Sequence, residues 1–319
     1  MNENPDLTDF RKFFPRATGE AVATVCETLA MRPTPVESIA SDRLRYGAVH
    51  LNVIDLERSL VFWRDLIGLT ELDREEPGAN GAGATGAVRL GVADAELVVL
   101  HPGASQPVQR GYSALYHLAI HMPSEAEFAK LLARIFAARY PVAPSDHITH
   151  WAFYLDDPDG INLEVAFETL DRVDKMDIAG GRPLIIDSDG HRHDMTEPLD
   201  LEGVFSHREG EDLTGPLPTG ARIGHVHLYV GDVEAAQNFY EEIGFTPHMN
   251  ASGIGFADLS LGGTFPHRIA VNVWQGVGAP QAPEGTAGMR YFELEDARAA
   301  ETRELSDPSG NRLVVSPAS

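Results

Sequence analysis

The sequence predicts an α+β protein made of four tandem βαβββ modules, the last of them truncated. Two observations carry this: a long internal repeat, and an alternation of strand and helix periodicity inside each copy. Residues 47–65 read GAVHLNVIDLERSLVFWRD, and residues 224–242 read GHVHLYVGDVEAAQNFYEE. At a constant offset of 177, Gly47, Val49, His50, Leu51, Val53, Asp55, Glu57 and Phe62 recur as Gly224, Val226, His227, Leu228, Val230, Asp232, Glu234 and Phe239. DPDGINLEV at 157–165 returns as DPSGNRLVV at 307–315, at offset 150. Two matches in the same order mean duplication, and a duplicated segment is a structural unit.

Each module reads in the same way. Val49, Leu51 and Val53 alternate with His50 and Asn52, the pattern of a half-buried strand. Asp55 stands at a helix N-cap, and Leu56, Leu60, Trp63 and Ile67 follow at helical spacing up to Gly68. Short strands are expected near 86–92 and 96–101. The pattern restarts with LYHLAIHM at 115–122, then Ser124 and Glu127 as a capping box before EFAKLLARIFAARY. Strands near 151–155 and 161–167 flank the turn DPDG. In the second half the offset falls from 174, between Leu115 and Met289, to 150. The roughly 24 missing residues are a helix and a strand, so the fourth module is stunted.

Length and composition bound the rest. A chain of 319 residues suggests about two domains. We expect a partly helical extension over 1–45, a first domain over 46–167, an acidic connection over 168–220 and a second, degenerate domain over 221–319. A net charge of −23 argues against nucleic acid or an anionic membrane as partner. One cysteine, Cys26, excludes a disulfide framework, and no apolar run approaches a membrane span. The amino terminus lacks the basic-then-apolar pattern of a signal peptide, so a soluble cytoplasmic protein is expected. Much of the acidity is local: residues 168–212 carry 13 acidic and five basic side chains, a net −8. That segment reads as an ordered wrap or a partly disordered linker.

The string GxVHLxVxDLExSLxFWRDxxGL, then LYHLAI, then DHxxxxAFYLDDPDGxxLE resembles the vicinal oxygen chelate superfamily of glyoxalases, fosfomycin and bleomycin resistance proteins and extradiol dioxygenases. MTEPLDLEG, IGHVHLYV and VNVWQGVGAP resemble its two-domain, catechol-2,3-dioxygenase-like branch, from about residue 46 onward. The resemblance implies two cup-shaped domains. It also implies a metal, iron(II) or alternatively manganese(II), held by two histidines and a carboxylate, with a small aromatic substrate and O2 as partners.

Carried over residue by residue, the resemblance makes His117 in LYHLAI and Glu164 in INLEV metal ligands. Strand alternation puts His117 on one face with Ala119 and His121, with Tyr116, Leu118 and Ile120 on the other. A buried acid amid NLEV needs a partner, which a metal would be. The family's first ligand position is Ala48 here. His50, on the same face two residues along, is the candidate third ligand; its other reading is a cup-lining residue bonded to neighbours. SDHITHWAFY supplies His147, Tyr154 and His150 as candidate catalytic groups, histidine being suited to proton steps near neutral pH; Trp151 points to the core. In the second half, His225 and His227 survive, but Tyr291 and Val314 replace the other ligands, so these histidines read as structural or as remnants, and His267 stands alone.

Other signals carry less. GHRHD at 190–194 has chelating spacing but sits in the acidic connection and reads as a solvated loop. The glycine-rich stretch 78–86 lacks the context of a phosphate loop, and no organic cofactor site is expected. Three functions stay open: a metal-dependent extradiol-type dioxygenase for a catechol-like molecule, a metal-dependent isomerase or lyase of the same fold, and a metal-free binding or resistance protein.

Overall fold

The structure is a computed structural model that describes residues 44–75, 86–179, 182–251, 254–261 and 265–318. The N-terminal extension, Cys26 and all but the last residue of the 78–86 stretch lie outside the described residues. Four modules appear as expected. The first has β1 (Leu44–Val53), helix α1 (Leu56–Leu60, continued by a π-helical turn over Val61–Leu66), β2 (Thr70–Arg74), β3 (Val88–Val92) and β4 (Ala95–Pro102). The second has β5 (Ala114–His121), α2 (Glu125–Ala137), β6 (Ala143–Asp146), β7 (His150–Asp156) and β8 (Asn162–Glu168). A connection follows, with β9 (Val173–Ala179), β10 (Arg182–Asp187), β11 (Arg192–Asp194) and α3 (Leu201–Ser206). The third module has β12 (Arg222–Tyr229), α4 (Val233–Ile243), β13 (Thr246–Ala251), β14 (Phe256–Ser260) and β15 (Ile269–Asn272). The fourth keeps β16 (Gly288–Asp296), β17 (Arg303–Ser306) and β18 (Arg312–Pro317), with no helix among its described residues.

The helices start where the caps predict. The side chains of Asp55, Ser124 and Asp232 accept from the backbone N–H of Arg58, Glu127 and Ala235. Each helix buries one stripe, Phe128, Leu131, Leu132 and Ile135 in α2 and Val233, Ala236, Tyr240 and Ile243 in α4.

How the modules pair departs from the sequence reading. A seven-stranded sheet runs β17-β18-β16-β1-β4-β3-β2, joining the first module to the fourth. An eight-stranded sheet runs β13-β14-β15-β12-β5-β8-β7-β6, joining the second to the third. The leading strands β1 and β16, and β5 and β12, pair antiparallel at the two sheet centres. Each leading strand has one edge covered by the last strand of its own module, and the other edge must find a partner. The partner comes from the other half of the chain, so a division between 46–167 and 221–319 does not divide the sheets. The DPDG turn and its DPSG counterpart then stitch the sheets together. Trp63 Nε1 donates to Asp157 Oδ2 at 3.2 Å, and Tyr240 donates its hydroxyl to Asp307 Oδ2 at 3.2 Å.

The acidic connection is ordered over its described residues. β9, β10 and β11 form a small antiparallel sheet. Beyond it the chain reaches the edge of the eight-stranded sheet, where Asp146 and Glu197 exchange two backbone hydrogen bonds of 2.8 Å.

Candidate metal centre

Because β5 and β12 are neighbours, side chains from both halves of the chain meet in one cup. Ala119 of β5 faces His225 of β12 across the ladder, and it also lies beside Glu164 of the parallel strand β8. His117 Nε2 lies 3.0 Å from Glu164 Oε2 and 3.2 Å from His225 Nε2, and His225 Nε2 lies 3.1 Å from Glu164 Oε2. All three side chains are buried. Donors on one face of an octahedron, about 2.1 Å from a metal, are themselves about 3.0 Å apart. The donor set therefore fits a cation, as two imidazoles and a carboxylate on one face with other positions open.

The protonation states agree with that fit. Burial pushes the Glu164 carboxyl up, but His225 and His117 outweigh it and hold its pKa well below the usual range. Burial pushes His225 well down, so it is neutral. An ionised carboxylate and neutral imidazoles are the forms that bind metal. His150 Nε2, 3.1 Å from Glu164 Oε1, occupies the other carboxylate oxygen and leaves Oε2 to face the two histidines. The ionised Glu164 can only accept, so His150 Nε2 is the donor, while His150 Nδ1 lies 2.9 Å from Thr149 Oγ1. His150, expected as a catalytic group, is thus the residue that fixes which way the Glu164 carboxylate turns.

His147 and Tyr154, the other two candidate catalytic groups, lie beside the centre. The Met195 carbonyl, 2.8 Å away, takes the proton of His147 Nδ1, so Nε2 accepts from the Tyr154 hydroxyl at 2.9 Å. Burial, helped by His150, lowers His147 to about 4. Burial and the nearby Glu164 carboxylate raise Tyr154 well above its ordinary range. The Met195 carbonyl comes from the acidic connection, which thereby contributes to the cup.

His50 is not in this cluster. β1 pairs with β16, so His50 lies in the other sheet, 2.8 Å from His101 Nε2 and 3.1 Å from Glu293 Oε1, stacked on Tyr291 at 4.0 Å between ring centres. Its surroundings are those of the cup-lining alternative, in the cup where no donor group converges on a cation among the described residues. Sequence reasoning missed His225, although GHVHL signalled it, because that histidine was assigned to a degenerate second domain. Tyr116 is a second correction. A register shift between His227 and Leu228 makes it an extra residue of β5, and its ring turns to His117, His227, Tyr229 and Trp274 instead of the helices. With Phe256 beside His227 and Trp274, the cup wall is largely aromatic.

Among the described residues one other group could converge on a cation: Asp187, Asp189 and His191. It sits at an exposed hairpin turn, where His191 and His193 are already bonded to Asp187 and Glu197.

Residues 45–165 match the family described as Glyoxalase/Bleomycin resistance protein/Dioxygenase superfamily. A protein named catechol-2,3-dioxygenase, from Bacillus subtilis (strain 168), is 31% identical over 253 residues, 78% of this chain and 81% of its own length. A crystal structure of a candidate dioxygenase from Bacillus subtilis subsp. subtilis str. 168 superposes with a TM-score of 0.54 at 12% identity, covering 87% of this chain and 86% of that one. A glyoxalase I variant from Zea mays gives 0.52 at 13% identity, covering 86% and 94%. These two structures show a shared fold, and the Bacillus sequence shows kinship. The chain belongs to the glyoxalase/bleomycin resistance protein/dioxygenase superfamily, in the same branch as catechol-2,3-dioxygenase.

Proposed function

We propose that the protein is a metal-dependent, extradiol-type dioxygenase that cleaves a catechol-like small molecule with O2 in the cup of the eight-stranded sheet. The observation that carries this is the His117–Glu164–His225 triangle, a two-histidine, one-carboxylate donor set of the kind that non-haem iron(II) oxygenases use. The relative named catechol-2,3-dioxygenase supports the substrate class, and so does the aromatic wall of Tyr116, Tyr229 and Trp274. His117, Glu164 and His225 would hold iron(II), with manganese(II) as the alternative. A metal bound there supplies Lewis acidity and open positions for vicinal oxygens.

The remaining chemistry belongs to the chain. Neutral His147 presents Nε2 as the atom that can take a proton, with the Tyr154 hydroxyl as the group bonded to it. The Met195 carbonyl keeps His147 in that tautomer, and His150 keeps Glu164 turned toward the two histidines. Buried apolar neighbours such as Phe265, packed against His121 and His150, exclude water from the back of the cup. No helix among the described residues is long and apolar enough to cross a membrane, and we keep a cytoplasmic enzyme as part of the proposal.

The test is to purify the protein without chelator, measure bound metal, add iron(II), and record oxygen uptake with a catechol panel. Metal binding with oxygen uptake is expected. Metal binding without uptake on any catechol would favour an isomerase or lyase. No metal under any reconstitution would leave the metal-free binding reading.

A further inference from the structure

Behind His225 a line of hydrogen bonds leads from the candidate centre to the protein surface. His225 Nδ1 lies 3.0 Å from His121 Nε2, and His121 Nδ1 lies 2.8 Å from Glu168 Oε1. Arg222 Nη2 donates to the same carboxylate oxygen at 2.7 Å, and Arg268 Nη1 stands 3.5 Å from it. The far end fixes the direction of every bond. Burial raises Glu168, but His121 and the two arginines outweigh it and hold the carboxyl at about 2, so it only accepts. His121 Nδ1 must then carry a proton. The fully buried ring carries that one proton as a neutral imidazole, so its Nε2 carries none and accepts. His225 Nδ1–H is the donor, and His225 Nε2 is left as a lone pair aimed at His117 and Glu164.

We propose that His121 and Glu168 are positioning residues that lock His225 into the tautomer and orientation a metal ligand requires. The proposal rests on reading His117, Glu164 and His225 as the metal centre. A carboxylate or carbonyl behind a ligating histidine orients the ring and raises its basicity; here an imidazole is interposed between carboxylate and ligand. Two further observations support it. Gly224 stands where a Cβ would fall 1.8 Å from the His121 ring, so the glycine of GHVHL makes the room that ring occupies. His117, in contrast, has no hydrogen-bond partner for its buried Nδ1 among the described residues. The two histidines are therefore inequivalent, with His225 the anchored one.

The test is a cobalt(II) titration of the full chain, read by the visible absorption of the bound ion, on wild type, His121→Met, His121→Gln and Glu168→Gln. His121 is fully buried, so a mere packing role would tolerate methionine. A positioning role predicts cobalt affinity about 10–100-fold weaker in His121→Met, with an altered spectrum. Glutamine can offer its amide oxygen to His225 Nδ1–H, and His121→Gln should recover most of the affinity. Glu168→Gln, which keeps a polar group but removes the charge, should weaken binding several-fold, and it reads the proposal if His121→Met fails to fold. Wild-type affinity and spectrum in His121→Met, or in Glu168→Gln where methionine is not folded, would overturn the positioning role. Wild type that binds no cobalt would instead overturn the metal centre, and the dyad with it.

Discussion

Glu164 Oε2 and His225 Nε2 lie 3.1 Å apart, although 61 residues and the whole acidic connection separate them in the chain. Neither half of the repeat can assemble this contact alone, because β8 reaches β12 only through β5. The contact explains why a chain with alanine at position 48 can still present two histidines and a carboxylate. The alanine belongs to the seven-stranded sheet, where its backbone N–H donates to Glu293 Oε2 at 3.4 Å, and no donor group converges on a cation there among the described residues.

Restoring a histidine at position 48 should therefore gain nothing. Ala48 is buried in the seven-stranded sheet, so Ala48→His overpacks the site and should cost about 1–3 kcal/mol of stability. Its metal affinity should stay within about twofold of wild type. Metal titration and urea unfolding of the variant check both halves; a tenfold or larger gain in affinity would contradict the assignment of cups.

Buried histidines should make the fold lose stability as the pH falls below about 6.5. Burial lowers His101, His121 and His147 to about 4, below the 6.5 expected in the unfolded chain. The unfolded state thus takes up protons first as pH falls from about 6.5 to 4, and stability is lost across that window. His101 lies outside the candidate centre, so His101→Gln should flatten the dependence of the urea midpoint on pH. An unchanged slope would count against the buried neutral histidine.

The tie between Trp63 and Asp157 gives a prediction of opposite sign. Burial raises Asp157 to about 6, against lowering by its hydrogen bonds from Ile161, Asp159 and Trp63. The folded pKa exceeds the unfolded value of 3.8, so this group favours folding at low pH, and that contribution is lost as pH rises through about 6. Trp63→Phe removes one donor from a buried carboxylate and should cost about 1–3 kcal/mol. It should also push Asp157 further up, so the loss is larger at pH 7.5 than at pH 5. Denaturation at the two pH values tests this, and equal losses would contradict it.

The proton-handling pair should show in the kinetics of the proposed reaction. Tyr154→Phe keeps the ring but removes the group bonded to His147 Nε2. Such a general acid–base contribution is typically worth about 10²–10⁴ in rate, so kcat should fall by at least about a hundredfold with metal content unchanged. A fall in metal content instead would make Tyr154 a structural neighbour of Glu164.

Local signals in the sequence were enough for the modules, because periodicity, the caps at Asp55, Ser124 and Asp232, and the DPDG turns all act within a few residues. They were also enough to bring His117, Glu164 and the His147–Tyr154 pair together, since these share one module and one sheet face. They could not say which leading strand pairs with which. That choice is made across more than a hundred residues, and each leading strand has the same alternating pattern. His50 and His225 therefore exchanged places: both sit in the motif xVHL, and only the pairing of β5 with β12 selects the second. Tyr116 was misplaced for a smaller reason of the same kind, since a bulge inverts strand alternation and leaves no mark on the residues around it.

The most direct measurement is metal content after reconstitution with iron(II) in wild type, His225→Ala and His50→Ala, read beside thermal unfolding of each apo form. The assignment predicts close to one metal per chain in wild type and in His50→Ala, and almost none in a folded His225→Ala. Retention of metal in His225→Ala, with its loss in His50→Ala, would contradict it and return the centre to the first half of the chain.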